Sequence, residues 1–342
     1  PRSCSDGARV AMKVCIVGAG AIGGFIGARL AAAGNCELSA VARGSTLAAL
    51  RTHGWRLNTA AGPITAPALA TEFAAELGPQ DLVIVAVKAP ALASVLPAIV
   101  ALLGPNTVVL PAMNGVPWWF SEGVVALGPT PLESVDPGGR IAASVPIQHV
   151  VGCVVHASTS LLSPGFVQHK MGNGLIIGEP GGGVSARAES ICELLTTAGF
   201  DVTRSTRIRY DIWYKLWGNM TMNPISALTG STIDRVLDDP ALRQFCTAAM
   251  LEAAAIGARI GCAVLESPED RFLVTRKLGA FKTSMLQDVE AGRPIELDSL
   301  VGAVKEIGER VGVETPNISA LLGLTRLFGQ VRGIYPTANN TW

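Results

Sequence analysis

The hexapeptide GAGAIG, Gly18–Gly23, limits what this chain can fold into more than any other stretch of it. An apolar, β-branched run at Lys13–Val17 precedes it, and a helical run at Ala21–Ala33 follows. The spacing is G-x-G-x-x-G. Gly18 permits a tight turn, Gly20 lets the backbone approach a pyrophosphate, and Gly23 lets helix and strand pack closely. Ala21 and Ile22 complete the loop at a helix N-terminus, which favours an anion. Alone the pattern is common. Between a strand and a helix it points to a dinucleotide.

The surrounding pattern supports that reading. Strand-like runs at Leu38–Ala42, Asp81–Val87 and Thr107–Pro111 alternate with helical ones at Thr46–His53 and Ala91–Leu103, which predicts βαβ units and a parallel sheet. From about 141 to 177 the runs are all strand-like, so the sheet is expected to continue with antiparallel members. A PGGG turn, a helix over Val184–Ala198 and a strand at Val202–Arg204 follow. After Thr206 only helical periodicity remains, at Arg209–Leu228, Pro240–Ile260, Pro268–Val289, Leu297–Val311 and Ile318–Val331. The expected fold is therefore α/β: an N-terminal Rossmann-type dinucleotide-binding domain over 12–207, then an all-helical C-terminal domain over 208–335. Residues 1–11 read as a disordered extension ahead of a functional start at Met12, and 336–342 as a tail.

Charge and cysteine usage narrow the function classes. With 27 basic and 27 acidic residues and no basic run, nothing calls for a nucleic-acid or membrane-surface partner. The seven cysteines (Cys4, Cys15, Cys36, Cys153, Cys192, Cys246, Cys262) never form a Cys-x-x-Cys pair and read as reduced residues of a cytoplasmic protein. The four histidines lack metal-ligand spacing, so no metal is expected. The run MKVCIVGAGAIGGFIGARLAAAG has a basic start and an apolar body, but its glycines and Arg29 argue against a signal peptide. The apolar run at Leu82–Val87 is halted by Lys88 and Pro90, well short of a membrane span.

Which dinucleotide binds follows from the end of the second strand. NAD-binding chains usually carry an acidic residue there to meet the ribose hydroxyls. Here the position is Arg43, followed by Ser45 and Thr46. A guanidinium suits a 2′-phosphate, which makes NADPH the expected cofactor, although a solvated surface arginine would look the same. Lys88 and Asn114 lie at the carboxyl ends of later strands, where open α/β sheets bind ligands. A lysine there can also simply reach water, and Asn114-Gly115 can be a plain turn.

The helical half carries a second oddity. In YDIWYKLWGNMTMNPISAL, Lys215, Asn219 and Asn223 recur every four residues and share one stripe of an otherwise apolar helix. A water-filled groove or a subunit interface would account for such a stripe. The segment SMLQDVEAGRPIELDSLVG adds Ser284 and Glu296, and a buried ammonium needs a counter-charge or a substrate anion.

With GAGAIG, Arg43, VKA at Val87–Ala89, Asn114-Gly115, WYKLWGNMTMNPISAL and the Ser284–Glu296 segment, the chain resembles the ketopantoate reductase family of the 6-phosphogluconate dehydrogenase-like superfamily. The resemblance runs from about Lys13 to about Leu327. It implies reduction of a 2-oxo acid, ketopantoate first, by hydride from NADPH. Lys215 would be the general acid, and Asn219 and Asn223 would orient substrate oxygens. Ser284 would meet the carboxylate and Glu296 the substrate hydroxyl and the lysine network. Lys88 and Asn114 would line the nicotinamide end. The family commonly closes the segment after Glu296 with Asn-Gly, where this chain has Val301-Gly302, and Trp118 and Trp119 add bulk near Asn114. A paralogous reductase or dehydrogenase of another 2-oxo or hydroxy acid is the runner-up, and a non-catalytic dinucleotide sensor the reading from another class. The apolar helical half favours a homodimer through it.

Overall fold

The fold is that of a computed structural model describing residues 11–337. The expected N-terminal extension, except residue 11, and the last five residues of the expected tail lie outside the described residues.

The first half interleaves strands and helices. In chain order they are β1 (Lys13–Val17), α1 (Ala21–Ala33), β2 (Glu37–Val41), α2 (Gly44–His53), β3 (Trp55–Thr59), β4 (Gly62–Ala66), β5 (Leu69–Thr71), β6 (Leu82–Val85), α3 (Leu92–Ala101) and β7 (Val108–Pro111). After them come α4 (Arg140–Ser144), β8 (Gly152–Ser163), β9 (Phe166–Gly178), α5 (Ala186–Thr197) and β10 (Asp201–Ser205). The remainder is helical: α6 (Ile208–Thr229), α7 (Ile233–Asp238), α8 (Pro240–Arg259), α9 (Pro268–Arg276), α10 (Ser284–Glu290), α11 (Ala303–Val311) and α12 (Pro316–Val331). A Rossmann-like α/β half is thus followed by an all-helical one.

The dinucleotide-type sheet has the order β5-β2-β1-β6-β7, with every pair parallel. β1 and β6 are buried on both faces except at Lys13, as the continuous apolar runs require. Of the region expected to be strand-like from 141 to 177, Arg140–Ser144 forms the helix α4 and Ile147–His149 a 3-10 turn, and the strands from 152 onward do not extend this sheet. β8 and β9 form an antiparallel hairpin in a second sheet, where β9 also pairs with β10 and β3, and β3 with β4. A single bridge, Val109–Val150, joins its start to β7. The reason is packing. α1 needs cover on its outer side, and it presents Gly24 and Gly27 there, so close that a Cβ would meet Val167 at 2.6 Å and Trp55 at 2.4 Å. Only a second layer carrying Trp55, Leu57 and Val167 fills that space.

Two expected helices also differ. The run Pro268–Val289 is broken between α9 and α10, where Gly279 takes a φ of +69° and Thr283 caps α10 by accepting from the Leu286 N–H at 3.2 Å. The run Leu297–Val311 opens with a π-helical turn at Asp298–Gly302 before α11. Among the described residues no helix is long and apolar enough to cross a membrane. The six described cysteines are free; five are buried and Cys36 is half-buried, whereas Cys4 lies outside the described residues.

Candidate active site

The glycine loop forms the floor of a cleft of about 580 Å³, within the range that small-molecule sites occupy. Gly18 sits at φ +93°, and a Cβ on it would meet the Val87 side chain at 2.4 Å and the Ala86 carbonyl at 3.0 Å. A Cβ on Gly23 would stand 2.0 Å from the Gly18 carbonyl oxygen. Gly20 is the N-cap of α1 without a side-chain cap, and the space where its Cβ would lie is open. The first N–H groups of α1 are thereby free for an anion. Arg43 and Thr46 line the same cleft, Arg43 exposed at the start of α2; Ser45 is exposed outside the lining. These residues fit a dinucleotide: the turn is spared side chains where a pyrophosphate would come close, and a guanidinium stands at the second strand's end.

The second part of the site is built on α6. Lys215 Nζ donates to Asn114 Oδ1 at 2.8 Å and to the Val155 carbonyl on β8 at 2.5 Å, so three separate elements fix one ammonium. Lys215 and Asn114, with Asn219 and Cys153, line a cavity of about 20 Å³, room for no more than a water, so a substrate enters only if these walls part. Burial pulls the Lys215 pKa down to about 8; the Glu296 carboxylate partly offsets that and Arg271 adds to it. The same burial pushes the Cys153 thiol up to about 12, which leaves it protonated and unreactive.

Glu296 bonds a different lysine. One of its oxygens accepts from Lys88 Nζ at 3.1 Å and the other from the Ala89 N–H at 3.0 Å. Lys88 Nζ also donates to Asp288 on α10 at 2.7 Å. Burial works against the Lys88 charge, but Glu296 and Asp288 overcome it and hold the pKa above its ordinary value. The two clusters are joined through the backbone. The Val116 N–H donates to the Ser299 carbonyl at 2.8 Å, and Gly115, at φ +81°, lies so close that a Cβ would touch Ser299 at 2.6 Å. The loop bearing Asn114 therefore rests on the turn that follows Glu296. Asn223 is buried on α6, and Ser284 is half-buried at the start of α10, which packs against α6; neither bonds directly to Lys215 or Glu296.

The structure thus gathers Lys215, Asn114 and Asn219 in one cluster and Lys88 and Glu296 in its neighbour, with Gly18, Gly20 and Arg43 along the cleft and Gly23 packed beneath the turn. Two participants were not singled out from sequence. The Val155 carbonyl carries no sequence signal. Asp288 did carry one: it stands four residues after Ser284, on the same face of α10.

Two family models match: ketopantoate reductase PanE/ApbA over residues 14–182, and its C-terminal counterpart over 207–328. The 2-dehydropantoate 2-reductase of Mesorhizobium japonicum is 44% identical, over 95% of this chain and 100% of that one. The chain belongs to the ketopantoate reductase family. It is an oxidoreductase of that family by the same likeness. Among solved structures, a protein from Ralstonia solanacearum described as a ketopantoate reductase is 55% identical with a TM-score of 0.89, covering 95% of this chain and 100% of that one. The 2-dehydropantoate 2-reductase of Methylococcus capsulatus is 27% identical with a TM-score of 0.80, covering 96% and 99%. Val301 is 1% exposed among apolar residues, and Trp118 and Trp119 are buried in the same core.

Proposed function

We propose that this chain reduces ketopantoate (2-dehydropantoate) to pantoate with NADPH, a step of pantothenate biosynthesis. The observation that carries the reading is the Lys215 ammonium, held by Asn114 Oδ1 at 2.8 Å and pulled by burial to a pKa of about 8. At neutral pH such a lysine is charged yet able to give up its proton. When bound, the reduced nicotinamide supplies the hydride. The alkoxide that would form on the 2-oxo carbon is neutralised by the Lys215 proton, and the buried ammonium stabilises the charge as it develops. Asn219, Asn223 and Asn114 orient the substrate oxygens, Ser284 meets its carboxylate, and Glu296 its distal hydroxyl. Gly18, Gly20, Ala21, Ile22 and Gly23 hold the pyrophosphate, Arg43 the 2′-phosphate, and Lys88 the nicotinamide end. In this reading residues 12–207 bind cofactor and 208–335 bind substrate. Parting and closing of the two excludes water during transfer.

The test is NADPH oxidation across a panel of 2-oxo acids. Ketopantoate should have the highest kcat/KM. Another acid leading by tenfold or more would point to a paralogous reductase, and binding of NADPH without turnover to a sensor. A homodimer belongs to the same proposal. Leu324, Leu327 and Val331, each more than half exposed, align on one face of α12. Light scattering at micromolar concentration should give twice the chain mass.

A further inference from the structure

We propose that Asp288 is a positioning residue for Glu296 and thereby sets the preference for a 2-oxo acid bearing a distal hydroxyl. The inference rests on the reading above, in which Glu296 receives that hydroxyl. In this structure Lys88 Nζ and the Ala89 N–H each hold one oxygen of Glu296, so its carboxylate is oriented toward them. For Glu296 to turn toward a ligand, the Lys88 ammonium must keep another partner. An ammonium left without a carboxylate in a partly buried site is costly, so Glu296 would otherwise stay on Lys88.

Asp288 is built to be that partner. Its Oδ2 lies 2.7 Å from Lys88 Nζ, closer than Glu296 at 3.1 Å. Its Oδ1 accepts from Arg293 Nε at 3.0 Å, and the Arg293 N–H donates back to the Asp288 carbonyl at 2.9 Å. The carboxylate is 3% exposed and thus fastened from both sides. The cluster holds two cations, Lys88 and Arg293, and two carboxylates, Asp288 and Glu296, so its charge balances as it stands. With Asp288 in place, Lys88 stays neutralised when Glu296 leaves. Without it, Glu296 becomes the sole counter-ion of Lys88 and is withheld from substrate. Asp288 itself acts through Lys88 and needs no contact with substrate.

The experiment compares ketopantoate with 3,3-dimethyl-2-oxobutanoate, the same acid without its hydroxyl, in the full-length Asp288→Asn enzyme. Loss of one charge-assisted hydrogen bond predicts that kcat/KM for ketopantoate falls about 10- to 100-fold, mainly through KM, while the deoxy acid changes by less than about twofold. An equal fall for both acids, or none for either, would overturn the proposal and leave Asp288 a structural tie. Should the Asn variant fail to fold, Asp288→Glu keeps the charge but shifts it by a methylene, and should give a smaller loss confined to ketopantoate. If the wild type reduces neither acid, it is the assigned activity that fails. The positioning claim is then read from a crystal structure of the Asn variant: Lys88 should move wholly onto Glu296, and an unmoved Lys88 refutes it.

Discussion

Lys215 is one ammonium with two oxygen partners in a site that holds a single water's volume, and its energetics follow from that. Replacing it with Ala should lower kcat by about 10²–10⁴-fold, the usual worth of general acid–base catalysis, with NADPH affinity nearly unchanged. Because it must be protonated to act, wild-type activity should fall as pH rises through about 8. Stability moves the other way. The folded-state pKa lies below its ordinary 10.5, so the unfolded chain binds more protons between about 8 and 10.5, and stability rises with pH across that window. Lys215→Met should therefore stabilise the fold most below pH 8, with the gain shrinking toward pH 10.5 in urea unfolding. Arg43 is exposed and needs no partner to hold the fold. Arg43→Ala should weaken NADPH binding by roughly 10- to 150-fold and NADH binding little, as fluorescence titration would read. Both residues were visible in the sequence because each breaks a local rule: a lysine in an apolar helix, and an arginine where an acid is usual.

At the scale of elements, α1 and its glycine turn were legible because their requirement is local. Gly23 lies against the Gly18 carbonyl, and Gly24 and Gly27 against the second sheet. Gly23→Ala should cost about 1–3 kcal/mol in chemical denaturation, the usual penalty for overpacking, and should weaken cofactor binding as the turn shifts. β3 and β4 escaped notice although Trp55 and Leu57 alternate inward with half-buried Arg56 and Asn58. Five residues of alternation next to an Ala-Ala turn are too short to separate a hairpin from a loop. Strand character at β8 and β9 was readable; which sheet they join was not, because pairing depends on what α1 needs on its far side. The α9–α10 break hid for a similar reason, since helical periodicity runs through Gly279 with no proline to stop it.

Over the whole molecule, one apolar core crosses from the dinucleotide-type sheet into the helical half. It contains Val17, Val83 and Val109 on the strands, Trp118, Trp119 and Phe120 after β7, and Trp213, Trp217 and Met250 on α6 and α8. The two halves should therefore unfold together, with calorimetric and van't Hoff enthalpies equal; two resolved transitions would contradict this. What the sequence by itself determined were the glycine loop, the alternation of strands and helices around it, the all-helical second half and the polar stripe of α6. Those rest on backbone freedom at glycine and on side-chain period, which act within a few residues. The tertiary structure alone decided which sheet β8 and β9 joined and which lysine Glu296 faced. It also decided that the Asn114 loop would sit on the turn at Ser299, and that Trp118, Trp119 and Val301 would turn into the core. Lys88 and Asp288 are 200 residues apart, and Lys88 and Glu296 are 208 apart. At such separations no local pattern specifies a pairing; the charges meet only because the Asp288–Glu296 segment of the helical half folds against the carboxyl end of β6, where Lys88 stands.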